Sequence, residues 1–366
     1  MRKIIALLLC LVMTCGMLVG CGETVIGEHL DDLMDKFYTE PEKKISLKLY
    51  FVYDEADAGA LQEVERRINA MAEADYNTKI DVVYCTAAEY DAKVLAAADA
   101  GENAIVLINS VSLMNALYDK GALENLTDYI LPKSNGTDAK YGLLNAKIAS
   151  SLIGASKKDG SLYSIPNNHL IDGEFGYTYV KLNRQACEIW LNHTEADLRE
   201  IDTAEEIADL KDELKDLLFM DDADIAEYVQ EVKGSYATKA AIEAGEKYIA
   251  NVIVSPTVTE EDAFSGAFAV LKGTDADRAM RIIYAINMDS AFHSLLLYGI
   301  KDTNYQLKDG VVTRFDTENK RYYINIQYAG NVFHAYYCEA EGWTAEIASY
   351  AEMQNKEADV KFAAGN

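Results

Sequence analysis

Polar side chains follow two of the strands that the sequence predicts near its start, where they could form hydrogen bonds with a ligand. Tyr53 and Asp54 come directly after the first strand, and Asn109 and Ser110 come directly after the third. In parallel α/β sheets, ligands lie beyond the carboxyl ends of the strands, which is where these residues fall. The pattern predicts that the chain binds a small polar molecule. Each of these residues could equally serve as a turn residue or a helix cap.

The common catalytic motifs do not occur in the sequence. It contains no G-x-S-x-G nucleophile motif, no H-E-x-x-H zinc motif and no P-loop. The five histidines do not have the spacing of metal ligands. Asp275 and Asp277 lack the glycine and distal glutamate of a calcium loop, and they stand where a helix N-terminus favours acidic residues. We therefore expect no enzyme, no metal and no cofactor, although a pair of hydrolytic carboxylates could lie among the 60 acidic residues.

Hydrophobic periodicity predicts the elements that hold the polar residues. The segment ISLKLYFV, which starts at Ile45, alternates like a strand, and Lys79–Cys85 is a second strand. The continuous apolar run Ala104–Ile108 is typical of a parallel strand that is buried on both faces. Helices lie between these strands, and the second of them begins with a capping box at Thr86. Alternation of this kind predicts βαβ units and a parallel sheet.

The second half of the chain continues with helices, one strand and a hairpin. A capping box at Thr203 begins a helix, and the acidic residues 221–231 also have helical character. Tyr248–Val254 is predicted as a strand. The pair Asp309-Gly310 predicts a hairpin turn. Beyond it we expect a strand in YYINI and a helix around Val332–Tyr337.

The N-terminus has the features of an export signal. Arg2 and Lys3 precede an apolar run that is too short to span a bilayer comfortably. The run ends in Leu-Val-Gly before Cys21, which looks like the lipobox of bacterial lipoproteins. We predict a signal peptide over residues 1–20, lipidation of Cys21 and a tether over residues 21–44. The alternative is an ordinary secretory signal that contains cysteines.

Composition limits the possible partners. Residues 1–20 contain two basic and no acidic residues, so their removal changes the formal net charge from −26 to −28. This charge argues against binding of nucleic acid and against electrostatic docking on anionic lipid.

About 345 residues remain after removal of the signal peptide, which is more than one compact core usually contains, and this length predicts two lobes. We expect Cys85, Cys187 and Cys338 to be small core residues, although one disulfide bond among them is possible.

The order of these elements resembles the extracellular solute-binding proteins of the carbohydrate-uptake class, which serve ABC importers. Four segments have counterparts in that family and appear in the same order: AAADAGENAIVLINSVSLMNALYDKGALENLTDYI, DGSLYSIP, YTYVKLNRQACE and AFSGAFAVLKGTDADRAMRIIYAINMD. The resemblance covers most of residues 45–310. The chain departs from the family pattern at Ala104, where the family usually has Asp, and in a short segment at about 170–250. It also has 24 tyrosines but only two tryptophans, whereas sugar sites often stack on tryptophan.

The resemblance implies an α/β, two-lobe fold of the periplasmic-binding-protein type (type II) with a reduced second lobe. Residues 45–165 plus 252–300 would form the first lobe, and residues 166–251 plus 301–366 the second. The lobes would close over the ligand by a hinge motion. The expected partners are an ABC permease and the lipid anchor, the expected state is a monomer, and the expected place is the extracytoplasmic face of the cell membrane.

The expected ligand is a small polar solute, namely a sugar or oligosaccharide. A peptide or amino-acid receptor, a surface hydrolase and a non-transport structural lipoprotein remain alternatives. The candidate ligand-binding residues from both lobes are Tyr53, Asp54, Asn109, Ser110, Asn167, Asn168, Ser235, Tyr236 and Trp343.

Overall fold

The computed structural model describes residues 43–133, 138–169 and 177–360. The strands in chain order are β1 (Ile45–Val52), β2 (Glu55–Ala56), β3 (Thr78–Cys85), β4 (Ala104–Ile108), β5 (Lys157–Lys158), β6 (Ser161–Leu162), β7 (Ser164–Pro166), β8 (Tyr177–Asn183), β9 (Val229–Gly234), β10 (Tyr248–Val254), β11 (Thr257–Val258), β12 (Ala267–Val270), β13 (Tyr305–Lys308), β14 (Val311–Arg314), β15 (Tyr322–Tyr323) and β16 (Asp359–Val360). The α-helices are Ala58–Tyr76, Ala87–Asp99, Val111–Asp119, Thr127–Ile130, Gly142–Lys147, Ser150–Ala155, Arg184–Trp190, Glu195–Arg199, Ala204–Leu218, Asp222–Ile225, Tyr236–Glu243, Glu260–Phe264, Ala276–Met288, Ser290–Tyr298 and Ala345–Glu357. Short 3-10 helices cover Ile326–Tyr328, Val332–His334 and Glu339–Glu341.

The central sheet has five strands in the order β3-β1-β4-β12-β7. Strand β1 pairs in parallel with β3 and β4, and β12 pairs antiparallel with β4 and β7. All five residues of β4 are buried, as its apolar run predicts. The capping box of Thr86 and Glu89 begins the helix that follows β3, as predicted. The predicted alternation of strands and helices is therefore confirmed in this part of the chain.

A smaller sheet has three antiparallel strands in the order β10-β8-β9. One face packs on helices that include Ala204–Leu218, which buries Ile207, Leu210 and Leu214. The prediction of a helix over residues 221–231 is wrong beyond Ile225, because Val229–Gly234 forms β9. Strand β9 pairs with β8 along its length, and these long-range hydrogen bonds override the weak local helical preference.

The C-terminal part of the chain packs mostly around the central sheet. Side chains of Tyr305, Val312, Tyr322, Ile324 and Cys338 belong to the same core as β1 and β4, although the sequence analysis assigned residues 301–366 to the second lobe. The Asp309-Gly310 hairpin turn is confirmed, with both residues at positive φ. Only two residues of YYINI form a strand, and only a single 3-10 turn forms at Val332–His334.

From Ile45 onward the chain forms one compact unit. Within the described ranges, no helix combines the length and the apolar character that a membrane crossing requires. Cys85, Cys187 and Cys338 are buried and unpaired with one another. The predicted signal peptide, Cys21 and nearly all of the predicted tether lie outside the described residues.

Candidate ligand-binding site

Four residues form a row along one edge of the central sheet. The register pairs Tyr50 with Val106, so Tyr53 and Asn109 lie level, one residue past the ends of β1 and β4. Ile108 and Pro166 both pair with Ala267, so Gly266 and Asn167 extend the same row. Neighbouring strands lie about 4.8 Å apart, which gives the row a length of about 14 Å. We call Tyr53, Asn109, Gly266 and Asn167 the strand-end row.

Asn109 carries an unpaired acceptor in this row. Its Oδ1 atom is buried and, among the described residues, has no hydrogen-bond partner. A buried polar atom without a partner costs about 1–3 kcal/mol, and such atoms are rare in folded proteins. An acceptor kept in this state is therefore available to a ligand that donates a hydrogen bond.

Asn167 repeats this feature two strands away. Its side chain is fully buried, its Nδ2 donates to the carbonyl oxygen of Gln327 at 2.8 Å, and its Oδ1 has no partner within the described chain. The donation to Gln327 fixes the amide orientation, so the atom left unpaired is the oxygen. Between the two asparagines, a Cβ atom on Gly266 would lie 2.4 Å from the Gln327 carbonyl oxygen, so only glycine fits at that position.

Asp54 lies beside the row and contacts the 320s segment. Its backbone N–H donates to the Tyr323 carbonyl oxygen at 3.0 Å. Packed neighbours desolvate the carboxyl and raise its pKa, while the Arg314 guanidinium and a hydrogen bond from the Asn325 backbone act against that rise. Burial and the charge of Asp54 raise the pKa of Tyr328. The Tyr328 hydroxyl therefore stays protonated at neutral pH and can donate.

This edge of the sheet is rich in acceptors. The two amide oxygens of Asn109 and Asn167 and the Asp54 carboxylate can accept hydrogen bonds from a ligand, and the aromatic rings of Tyr53 and Tyr328 are half-buried. A ligand with many hydroxyl groups complements such an arrangement, because each hydroxyl can donate to an acceptor that is already desolvated.

Two of the predicted residues have structural partners. Ser110 is the N-cap of helix Val111–Asp119, and its side chain accepts from the backbone N–H of Leu113. The Asn168 Oδ1 accepts from the Ala149 backbone N–H at 3.2 Å, and its Nδ2 donates to the Lys147 carbonyl oxygen at 3.1 Å. Asn168 therefore ties the end of β7 to neighbouring helices and lies outside the strand-end row.

Ser235 and Tyr236 lie at an edge of the smaller sheet. Strand β9 ends at Gly234, which pairs with Tyr177, the first residue of β8. Strand β10 ends at the same edge, because Val254 pairs with Thr178. Ser235 caps helix Tyr236–Glu243 together with Thr238, and its carbonyl oxygen accepts from the Tyr179 hydroxyl at 3.1 Å. The Tyr236 side chain lies outside the described part of the structure.

Trp343 occupies a separate small core. Its ring is 6% exposed and packs edge-on against Phe333, with 5.9 Å between ring centroids. Val332 and Ala351 belong to the same cluster. A ring buried in this way offers no open face for stacking on a sugar.

Gly266, Gln327 and Tyr328 are site residues that the sequence pattern did not predict. Gly266 could have been identified from the sequence, because it lies in the segment AFSGAFAV, which is part of the family resemblance, directly before a strand that returns to the first lobe. Gln327 and Tyr328 lie in a 3-10 turn with no periodic pattern. Only the tertiary contacts with Asn167 and Asp54 identify them.

The described residues show neither a cluster of metal ligands nor a reactive thiol. They contain no group of three or more histidine, cysteine or acidic side chains that could hold a metal ion. Asp275 caps helix Ala276–Met288, and Asp277 pairs with Lys140 and Arg281. Burial raises the pKa of the Cys187 thiol to about 11, and burial also raises the pKa of Cys85 and Cys338. These thiols are therefore protonated and weakly nucleophilic at neutral pH.

Comparison with known proteins gives matches among solved structures. No protein-family model and no curated protein matches the chain. The N-glycan transport solute-binding protein NgtS from Streptococcus pneumoniae aligns with a TM-score of 0.53 and 16% identity, over 87% of this chain and 84% of that chain. The same protein in complex with Man1GlcNAc aligns with a TM-score of 0.52 and 15% identity, over 87% and 84% of the two chains. In complex with Man5GlcNAc it aligns with a TM-score of 0.52 and 16% identity, over 87% and 83%. The chain therefore has the α/β fold of solute-binding proteins, as the sequence resemblance predicts.

Proposed function

We propose that the chain is a receptor for a small polar solute, a sugar or oligosaccharide, that delivers its ligand to an ABC permease. The observation that carries this proposal is the pair of buried side-chain amide oxygens of Asn109 and Asn167, which lie in one row and have no partner among the described residues. Saccharide hydroxyl groups would donate to these atoms and to Asp54. The NgtS structures with Man1GlcNAc and Man5GlcNAc, which share this fold, support a saccharide as the ligand class.

We propose that the ligand lies between the strand-end row and the edge of the smaller sheet that carries Ser235 and Tyr236. Residues 255–266 join the end of β10, at the edge of the smaller sheet, to Gly266 in the strand-end row, which supports both edges facing the same ligand. Closure would bury the ligand's hydroxyl groups from both sides, so contacts from both regions would set the affinity.

The same proposal includes an anchor and a location. Lipidation of Cys21 would hold the protein at the extracytoplasmic face of the membrane, with residues 21–44 as a tether. The acidic surface argues that lipid, and not charge, provides the attachment. The protein would act as a monomer and would bind its solute without chemical turnover.

A calorimetric titration of the full chain in detergent tests the proposal. The panel holds mannose- and N-acetylglucosamine-containing oligosaccharides, monosaccharides, amino acids and short peptides. Binding of saccharides without product formation supports a sugar receptor. Ligand at 100 times its dissociation constant should also add about 2.7 kcal/mol to the free energy of unfolding. Binding of peptides or amino acids alone would replace the ligand class, product formation would indicate a hydrolase, and no binding by folded protein would contradict a receptor.

A further inference from the structure

A second polar groove lies away from the strand-end row. It has a volume of about 730 Å³ and lies between helix Gly142–Lys147 and helix Ala345–Glu357. Lys147, His334, Glu352 and Lys356 bring charged or titratable groups to its lining. None of the four residues of the strand-end row is among the described residues that line it. We call this cavity the Lys147 groove.

The charges of the Lys147 groove are mostly positive. Among its described lining residues, Glu352 is the only acidic one, and its Oε1 lies 3.5 Å from the Lys356 Nζ. That pair neutralises itself and leaves the Lys147 ammonium as the remaining charged group, with the His334 ring in the same lining. Within the described residues, Lys147 forms no salt bridge.

Lys147 and His334 are close enough to interact electrostatically. Burial lowers the pKa of His334, and the positive charge of Lys147 lowers it further. The ring therefore favours its neutral form in the empty groove, and an anion bound beside both groups would offset the Lys147 charge and favour the protonated ring. Acidic residues are abundant in this chain, which has a formal net charge of −26, yet none compensates Lys147 here among the described residues.

The negative charge of the whole protein does not prevent anion binding at this position. At physiological ionic strength the screening length is about 8 Å, so charges elsewhere on the surface contribute little inside the groove. The nearby Lys147 ammonium therefore dominates the local potential.

We propose that the Lys147 groove binds the carboxylate or phosphate group of a small anionic ligand. The Lys147 ammonium and the protonated His334 ring would donate charge-assisted hydrogen bonds to the anionic oxygen atoms. Asn331 and Asn168 also line the groove, and a cavity of this size accommodates a ligand of monosaccharide dimensions. This site has its own lining residues and does not depend on the proposed receptor function.

NMR titration of the His334 ring in the full chain tests the proposal directly. The spectrum of His334→Gln assigns the signal. A bound anion stabilises the protonated ring, so the pKa of His334 should rise and the affinity should fall as the pH rises through it. The other groups that bear on this ring are Lys147, Lys356, Glu352 and the buried His293, whose pKa burial lowers to about 4.

Three probes separate the possible ligand chemistries. Glucuronate should raise the pKa of His334, whereas glucose, which has the same ring without a carboxylate, should leave it unchanged. If inorganic phosphate acts like glucuronate, the anionic group alone is recognised. If only glucuronate acts, the site takes an acidic saccharide. Both results support the proposal, and the absence of any effect from glucuronate and phosphate would overturn it.

Two lysine variants complete the test. Lys147→Gln should weaken the binding of the active anion at least about tenfold, the loss expected for one charge-assisted hydrogen bond. Lys272→Gln removes the same charge from an exposed position outside the described lining of the groove and should leave binding unchanged. Equal affinities of Lys147→Gln and the unmodified chain would contradict the assignment. If the Lys147 groove does not bind an anion, the titration of neutral saccharides at the strand-end row still gives its own result, so the two proposals are tested separately.

Discussion

Buried asparagines play different roles in the two sheets. In the smaller sheet, Asn183 accepts from the Ala186 backbone N–H at 3.1 Å, and Asn251 donates to the Leu198 and Ile201 carbonyl oxygens at 2.6 and 2.7 Å. Between residues 177 and 254, no described side chain has a buried nitrogen or oxygen atom without a partner. At the edge of the central sheet, Asn109 and Asn167 each keep a side-chain oxygen without a partner in the described part of the chain.

This difference shows how one residue type can hold a fold together or stay available for a ligand. A paired amide stabilises the backbone that it contacts, whereas an unpaired buried oxygen costs free energy. Folded proteins tolerate such a cost mainly where function requires it. We therefore propose that the binding capacity lies at the central sheet, and the following changes test this proposal from the largest expected effect to the smallest.

The largest effect should come from the core of the central sheet. Phe268 is fully buried in β12 and stacks on Phe51, with 6.4 Å between ring centroids. Phe268→Ala should lower the free energy of unfolding by about 3–5 kcal/mol, because it leaves a cavity beneath the strand-end row. Phe219→Ala removes a side chain that is 95% exposed in the smaller-sheet region and should change stability by less than about 0.5 kcal/mol. Urea unfolding measures both, and equal losses would contradict the difference in packing.

The next effect depends on pH and concerns the buried His293 of helix Ser290–Tyr298. Burial lowers its pKa from an ordinary value of 6.5 to about 4. The unfolded chain therefore binds a proton at a higher pH than the folded chain, and His293 should remove up to about 3 kcal/mol of stability as the pH falls from 6.5 to 4. His293→Gln should lack this part of the acid sensitivity in unfolding curves measured across that range.

His193 in the smaller-sheet region provides the matched control. Its Nε2 lies 3.1 Å from the Glu213 Oε2 in a contact that solvent reaches. His193→Gln should change the free energy of unfolding by less than about 1 kcal/mol. If His293→Gln has the same pH profile as the unmodified chain, the buried histidine does not control acid stability.

Substitution of two glycines compares a tightly packed position with an open one. Gly266→Ala would place a Cβ atom 2.4 Å from the Gln327 carbonyl oxygen and push that segment away from Asn167. We expect a loss of about 1–3 kcal/mol in stability and weaker ligand binding. Gly245→Ala, in the smaller-sheet region, meets nothing within 4 Å and should change neither property. Urea unfolding measures the stability of both variants and calorimetry measures their affinity for the ligand. If Gly266→Ala keeps the stability and affinity of the unmodified chain, the close contact with Gln327 is not needed for the site.

A paired asparagine should be costly to lose. Asn251→Leu removes the donors to the Leu198 and Ile201 carbonyl oxygens and leaves both without that partner. We expect the free energy of unfolding to fall by about 1–3 kcal/mol, with little effect on the affinity for ligand. Urea unfolding and calorimetry test this, and a loss of affinity with unchanged stability would reverse the roles given to the two sheets.

Local sequence patterns predict much of the central sheet. The apolar run of β4, the capping box at Thr86 and the Asp309-Gly310 turn depend on neighbouring residues, and all three appear in the structure. Strand β9 depends on pairing with a distant strand, so the acidic, helix-like segment around it was misleading. Positions after strand ends predict Tyr53 and Asn109, because those ends follow from the strands themselves.

The rest of the site depends on contacts that are distant in sequence. Asn167 and Gln327 are 160 residues apart, and the turn that carries Gln327 has no periodicity. The unpaired state of Asn109 depends on what surrounds it in three dimensions, which no local pattern contains. Trp343 had a suitable residue type for sugar stacking, but packing against Phe333 buries it.

The most direct test of the central claim measures stability and affinity together in Asn109→Leu, using the saccharide that binds the full chain best. Because the Asn109 Oδ1 has no partner among the described residues, its loss should leave the free energy of unfolding unchanged or higher in the absence of ligand. The same change should weaken saccharide binding at least about tenfold, since a ligand hydroxyl group loses its acceptor. An unfolding free energy lower by about 1–3 kcal/mol with unchanged affinity would contradict the account, because Asn109 would then hold the fold together and would not bind the ligand.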